Sequence, residues 1–136
     1  MNFRARARNK VGQSLNEAVV GALILIPIAL TGLDLTIIVV CNSANDGLVK
    51  NAARAAANQG TKAKAIKAAK DCIANFPRSP IILDVKLAGD IDYIDQKQVA
   101  VQTVMTMKLP VGLPGMDILE FNARAVEPLV ALPSKI

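Results

Sequence analysis

From Ala18 to Leu33 the chain carries no charged residue, and after Asp34 the apolar character resumes from Leu35 to Cys41. Wound as an α-helix, this stretch is about 36 Å long, enough to cross the hydrocarbon core of a bilayer. Two other readings compete with a membrane anchor. A cleaved secretory signal has a similar basic start, but its apolar core is shorter than this run, and Thr31-Gly32-Leu33 followed by Asp34 is a poor small-x-small cleavage site. A buried core helix would need a large body to cover it. With 136 residues in all, little remains downstream to do so.

The flanks fix a direction. Arg4, Arg6, Arg8 and Lys10 precede the apolar run with no acidic residue among them, and basic residues stay on the cytoplasmic side. The expected organisation is a basic cytoplasmic leader over 1–12, a transmembrane helix over 13–41 and an exported domain over 42–136. The net charge of +5 raises nucleic acid as a partner, because phosphate neutralisation is how basic proteins gain affinity for it. The distribution of charge argues against it. Four of the sixteen cations lie in the leader and four more in one later helix, and aromatic residues, the usual stacking platforms, make up only 3% of the chain. Membrane lipid is the expected surroundings of the apolar run, and nucleic acid is not an expected partner.

Just before the run stands Gly12-Gln13-Ser14-Leu15-Asn16-Glu17. A carboxylate in a spanning helix costs about 2.5 to 3.5 kcal/mol near its centre, so Glu17 and Asp34 both require a reason. For Glu17 one reason is an interfacial position near the helix N-terminus, favoured by the dipole. The other is that scission after Gly12 makes Gln13 a new amino terminus, whose ammonium on a neighbouring subunit would pair with Glu17. Asp34 reads first as a solvated residue towards the exported end. Pro27 removes one helix hydrogen bond, which a membrane helix tolerates, and reads either as a kink or as an ordinary transmembrane proline. Gly21, Ala22 and Gly32 offer small surfaces for close helix contact.

Taken together, these residues carry a resemblance. The Gly12 to Glu17 spacing is similar to the processing site of type IV prepilins. The longer run Gly12-Gln13-Ser14-Leu15-Asn16-Glu17-Ala18-Val19-Val20, then Leu25-Ile26-Pro27-Ile28 and Leu33-Asp34-Leu35, resembles the TadE-like family of tight-adherence minor pilins. Asn51-Ala52-Ala53-Arg54-Ala55-Ala56 and the closing Ala123-Arg124-Ala125-Val126-Glu127-Pro128 extend the likeness over nearly the whole chain, with departures at Asn16 and Ala18. The resemblance implies a structural component of a tight-adherence (Flp-type) pilus or secretion apparatus, cut between Gly12 and Gln13 by a prepilin peptidase. It further implies assembly with other pilin subunits through the transmembrane helix, where Glu17, Pro27 and Asp34 would act. Its alternative is an unprocessed single-pass membrane protein whose exported domain binds a protein or cell-envelope partner.

Beyond Cys41 the pattern turns amphipathic. Ala44, Leu48, Ala52, Ala55 and Ala56 fall at helical spacings, so the membrane helix is expected to continue to about Gln59, although Gly47 weakens it. Gly60 is expected to end it in a left-handed cap, and Thr61 to cap a second helix with Ile66, Ala69, Ile73 and Phe76 on its apolar stripe. Lys62, Lys64, Lys67 and Lys70 would face solvent. Pro77 and Pro80 end the helical half. Strands are expected from Ile82 to Leu87 or on to Ile94, through the alternating Val99, Val101, Thr103, Met105 and Met107, and from Ile118 to Val126. Leu109 to Gly115 reads as a long irregular loop, and its apolar tip, Leu109 to Met116, as either a lid on the core or a contact with another subunit. The fold class is therefore α+β: a long N-terminal helix, a second short helix and an antiparallel sheet of about three strands.

No catalytic constellation emerges, and an enzyme is not expected. Histidine is absent, which removes imidazole-based triads and metal sites, and no glycine-rich phosphate loop follows a strand. Asp84, Asp90, Asp92 and Asp95 read as a polar turn and not as a calcium loop, which would close on a glutamate. No metal or cofactor is expected. If the chain reverses at Gly60, Cys41 and Cys72 fall about 10 Å apart along the helix, so free or intermolecular thiols are the expectation.

Overall fold

The computed structural model describes residues 3–94, 97–113 and 115–130, with side chains omitted at 3–13 and 113. Its elements are α1 (Phe3–Ala57), α2 (Lys62–Ala74), β1 (Ile82–Leu87), β2 (Asp92–Ile94), β3 (Gln98–Leu113) and β4 (Met116–Pro128). The class is α+β, with a long apolar N-terminal helix, a second short helix and a small antiparallel sheet. The chain divides into two compact units, Met1–Thr36 and Ile37–Ile136.

In the first unit α1 is uninterrupted, with Pro27 inside it. Proline gives up the hydrogen bond that an N–H at 27 would donate to the Leu23 carbonyl, yet the helix does not break. The Thr31 hydroxyl donates to the Pro27 carbonyl at 2.8 Å and the Thr36 hydroxyl to the Gly32 carbonyl at 2.9 Å. Such back-bonds satisfy hydroxyls that would otherwise face apolar surroundings.

The second unit is a sheet covered on one face by helix. β3 is its spine, paired antiparallel with β4 along one side and with β1 and β2 in succession along the other. Period-two alternation puts Val99, Val101, Thr103, Met105, Met107 and Leu109 on the buried face. All of them except Thr103 form one core with Val85, Ile91, Ala123 and Ala125, with Cys41, Leu48, Val49, Ala52, Ala53, Ala56 and Ala57 of α1, and with Ala65, Ala69 and Ile73 of α2. The opposite face carries Gln98, Gln102, Lys108, Glu120, Asn122 and Arg124, all exposed, as suits an antiparallel sheet with one wet side.

Several expectations need correction. The sheet has four strands and not three: Gly89, at φ +77°, lies between β1 and β2, so the polypeptide turns before the short strand that pairs with Val99. The segment from Leu109 is not an irregular loop, since β3 runs on to Leu113 and closes on Met116. Proline is tolerated there because β1 stops pairing at Met107, so no ladder bond needs an N–H at Pro110, and the β4 register shifts between Lys108 and Leu113. Gly112 (φ +59°) and Gly115 (φ +83°) supply the backbone this bulge and turn require. Leu109 itself is core, which removes it from any free lid.

At the end of α1, Gly60 does not adopt a left-handed φ. The helix instead tightens through the bonds Asn58 N–H to Arg54 O and Gln59 N–H to Ala56 O, which satisfy terminal carbonyls without a glycine cap. Thr61 does cap α2, its hydroxyl accepting from Lys64 N–H. The buried stripe of α1 is rotated from the one expected: Cys41, Asn45, Leu48, Val49, Ala52, Ala53, Ala56 and Ala57 face the sheet, while Ala44 and Ala55 are only half-buried. In α2 the buried positions are Ala65, Ala69 and Ile73, with Ile66 at the margin. An alanine is preferred over the larger isoleucine where helix and sheet approach most closely.

Candidate functional site

The stem of α1 is the feature that most limits what this protein can do. Leu15, Val19, Val20, Leu23, Ile24, Leu25, Ile26 and Ile28 are each more than half exposed. Four consecutive residues, Leu23 to Ile26, point around a full helical turn, so the helix is apolar on every side. Water would not tolerate such a cylinder, whose apolar surface far exceeds the patches soluble monomers expose. Among the described residues it is the one helix long and apolar enough to cross a membrane.

Along this stem the expected site residues are placed as follows. Gly12 and Gln13 lie within α1, but the side chain of Gln13 is outside the described residues. Glu17 is exposed, four residues into the described side chains of the stem. No Cβ added at Gly21 or Gly32 would meet an atom within 4 Å, so both leave flat positions on the helix surface. Pro27, Ile28, Thr31, Gly32 and Leu35 line a shallow apolar groove on one side.

Asp34 departs from its expected solvated position. It is 1% exposed, between Leu33 at 49% and Leu35 at 58%. Acidity at the far end of the apolar run was legible in the sequence, but its burial was not.

One polar arrangement escaped the sequence altogether. Asn45, fully buried in the second unit, accepts from the Thr103 hydroxyl at 2.8 Å and donates through Nδ2 to the Phe121 carbonyl at 3.0 Å. A single side chain thus ties α1 to β3 and β4. The one available signal was the threonine in the apolar alternation of β3, which asks for a partner across the core.

The two stretches of the second unit that carried the resemblance come together. Arg54, in the Asn-Ala-Ala-Arg run, reaches Glu127 at 3.2 Å, while Ala52, Ala53, Ala123 and Ala125 share the core. The Val130 N–H also bonds the Ala57 carbonyl. The ion pair is half solvated and contributes at most about 1 kcal/mol. The alanines allow the closer approach.

The acidic residues near β1 and β2 are separately engaged. Asp90 accepts from Lys62 at 2.6 Å and from the Ile91 N–H at 2.9 Å. The Lys62 bond, then the Ile91 N–H, hold its carboxyl below the usual range, and the same contact raises the Lys62 ammonium. Asp84 lies 3.8 Å from Lys86, and Asp95 is outside the described residues. Among the described residues no group of three or more metal-ligating side chains converges. Cys41 is buried and Cys72 half-buried, and both are free thiols. Lys64, Lys67 and Lys70 are exposed along α2. Comparison with protein-family models, with curated proteins and with solved structures returned no match.

Proposed function

We propose that this chain is a TadE-like minor pilin or pseudopilin, a structural component of a tight-adherence (Flp-type) pilus or secretion apparatus. The observation that carries the reading is the bare apolar stem, with Glu17 near its start and Gly12-Gln13 before it, continuing as a helix to a small α+β unit. In this reading the stem lies in the cytoplasmic membrane, with the basic leader cytoplasmic and the α+β unit exported. A prepilin peptidase cuts between Gly12 and Gln13. The freed Gln13 ammonium of one subunit meets Glu17 of the next, which offsets the cost of holding that carboxylate in lipid. Gly21, Gly32 and the groove beside Pro27 give neighbouring stems surfaces for close packing. The role is structural and non-enzymatic.

The test is N-terminal sequencing of membrane-extracted protein together with pilus formation by Glu17→Ala. The expected result is a mature chain beginning at Gln13 and loss of assembly in the variant. A chain beginning at Met1, with assembly unchanged by Glu17→Ala, refutes the reading.

One observation favours a second reading, an unprocessed single-pass anchor whose exported unit binds a protein or envelope partner. The Gly12–Gln13 bond lies inside continuous helix, where scission requires local unwinding. In that case Gly12 substitutions leave both apparent mass and function unchanged.

A further inference from the structure

The tip of the β3–β4 hairpin lies at one particular end of the second unit, and the contacts of β4 with α1 say which. The Phe121 carbonyl accepts from Asn45, Glu127 meets Arg54, and the Val130 N–H bonds the Ala57 carbonyl. β4 therefore climbs in the same direction as α1, with nine steps of strand, Phe121 to Val130, matching twelve of helix, Asn45 to Ala57. On that pitch the stretch back from Phe121 to Met116 descends about seven helical positions, to the level of Ile38. The tip is thus at the end of the unit that α1 enters, since the unit begins at Ile37.

That end is apolar on the outside. Val39 and Val40 on α1, with Met116 and Ile118 on the hairpin, are each more than half exposed, and Val111 is 41% exposed. Leu109 beside them is core, so the exposed set lies beyond what the unit itself covers. The polar residues on the same face of β4, Glu120, Asn122 and Arg124, all stand further from this end. From Lys108 to Ile118 the sequence holds one cation, Lys108, and one acid, Asp117, both exposed. Lys108 stands opposite Ile118 in the register, where its aliphatic stem can cover apolar surface and carry the ammonium to the level of phosphates. A second count reaches the same level from the other side. About 30 Å of hydrocarbon at 1.5 Å per residue takes about twenty residues, which from Ala18 ends near Ile37.

We infer that the hairpin tip is a second membrane contact: in the membrane-resident chain Val111, Met116 and Ile118 enter the headgroup layer of the bilayer that α1 crosses, and seat the α+β unit on it. The occupant of this apolar end is lipid. The acid at Asp117 keeps the contact at interfacial depth and out of the hydrocarbon, and with Lys108 leaves the tip without net charge, so apolar burial carries the contact. The inference rests on the reading of the stem as a membrane anchor, and it holds whether or not the leader is cleaved.

The test uses the full chain carrying Cys41→Ala and Cys72→Ala, reconstituted in phosphatidylcholine vesicles at low protein density. The fluorophore NBD is attached to one new cysteine at a time: Met116→Cys in the tip, Leu25→Cys in the stem, or Asn58→Cys, exposed at the far end of the unit. Lipids bearing a nitroxide at the headgroup or deep in the acyl chain quench a label at their own depth. The label at 25 is expected to respond most to the deep nitroxide. The label at 116 is expected to be quenched by the headgroup nitroxide at least about twofold more than the label at 58. Ile118→Asp, an exposed change that leaves the core intact, is expected to abolish the quenching at 116 and preserve that at 25. Quenching at 25 with none at 116, or equal quenching at 116 and 58, overturns the inference and leaves the stem reading standing. Absence of quenching at 25 overturns both. A label at 116 that is shielded only at high protein density marks a contact between copies and also overturns it.

Discussion

Asn45 offers the sharpest test of how the second unit is held together, because one buried amide serves two strands. In Asn45→Ala both bonds vanish, and the Thr103 hydroxyl, fully buried, loses its acceptor at 2.8 Å. Each lost bond is a net change of about 1 kcal/mol, and an orphaned buried hydroxyl costs about 1 to 3 kcal/mol. With a small cavity added, the expected destabilisation is about 3 kcal/mol. Thr103→Val alone removes the donor to Asn45 Oδ1 and is expected to cost about 1 to 2 kcal/mol. The pair Asn45→Leu/Thr103→Val removes both partners at nearly constant volume, leaving the Phe121 carbonyl its strand bond, and should be less damaging than Asn45→Leu alone. The coupling is expected to exceed about 1 kcal/mol. Pulse proteolysis of the detergent-solubilised full chain across a urea series measures all four members of the cycle. Strict additivity, or a double variant as unstable as the sum of the singles, would refute the network.

Three further outcomes are expected. Gly47 is exposed in the interior of α1 with open space around it, so Gly47→Ala should raise stability by about 0.5 to 1 kcal/mol in the same urea assay. Gly112→Ala should lower it by about 1 to 3 kcal/mol, because φ is +59° and the new Cβ would stand 2.8 Å from Asp117 Oδ1. The Asp90 carboxyl, followed by NMR, should titrate below the ordinary value of 3.8, held there by Lys62. Since its folded pKa is depressed, its contribution is present above the unfolded pKa and lost as pH falls through the folded one, and Lys62→Ala should move the titration back up.

What was legible in the chain followed from period and punctuation. Uncharged residues from Ala18 to Leu33 announced the stem, two prolines at 77 and 80 announced the end of the helical half, and alternation from Val99 to Met107 announced the central strand. What was missed depended on neighbours that local sequence does not encode. The four-strand count turned on Gly89 breaking one apolar stretch into two strands. Pro110 looked like a strand breaker, yet only an N–H that must be paired makes proline costly, and β1 has already ended at Ile82–Met107. The burial of Asn45 follows from helical phase, but a one-residue error in choosing the stripe exchanges Ala44 for Asn45 as a core residue.

Intact-mass spectrometry of the protein extracted from membranes decides whether the apolar stem is a processed membrane anchor. The expected result is a membrane-bound chain lighter by the mass of residues 1–12, with Gly12→Leu restoring the full mass. A full-length wild-type chain, or one released to the soluble fraction, would contradict it.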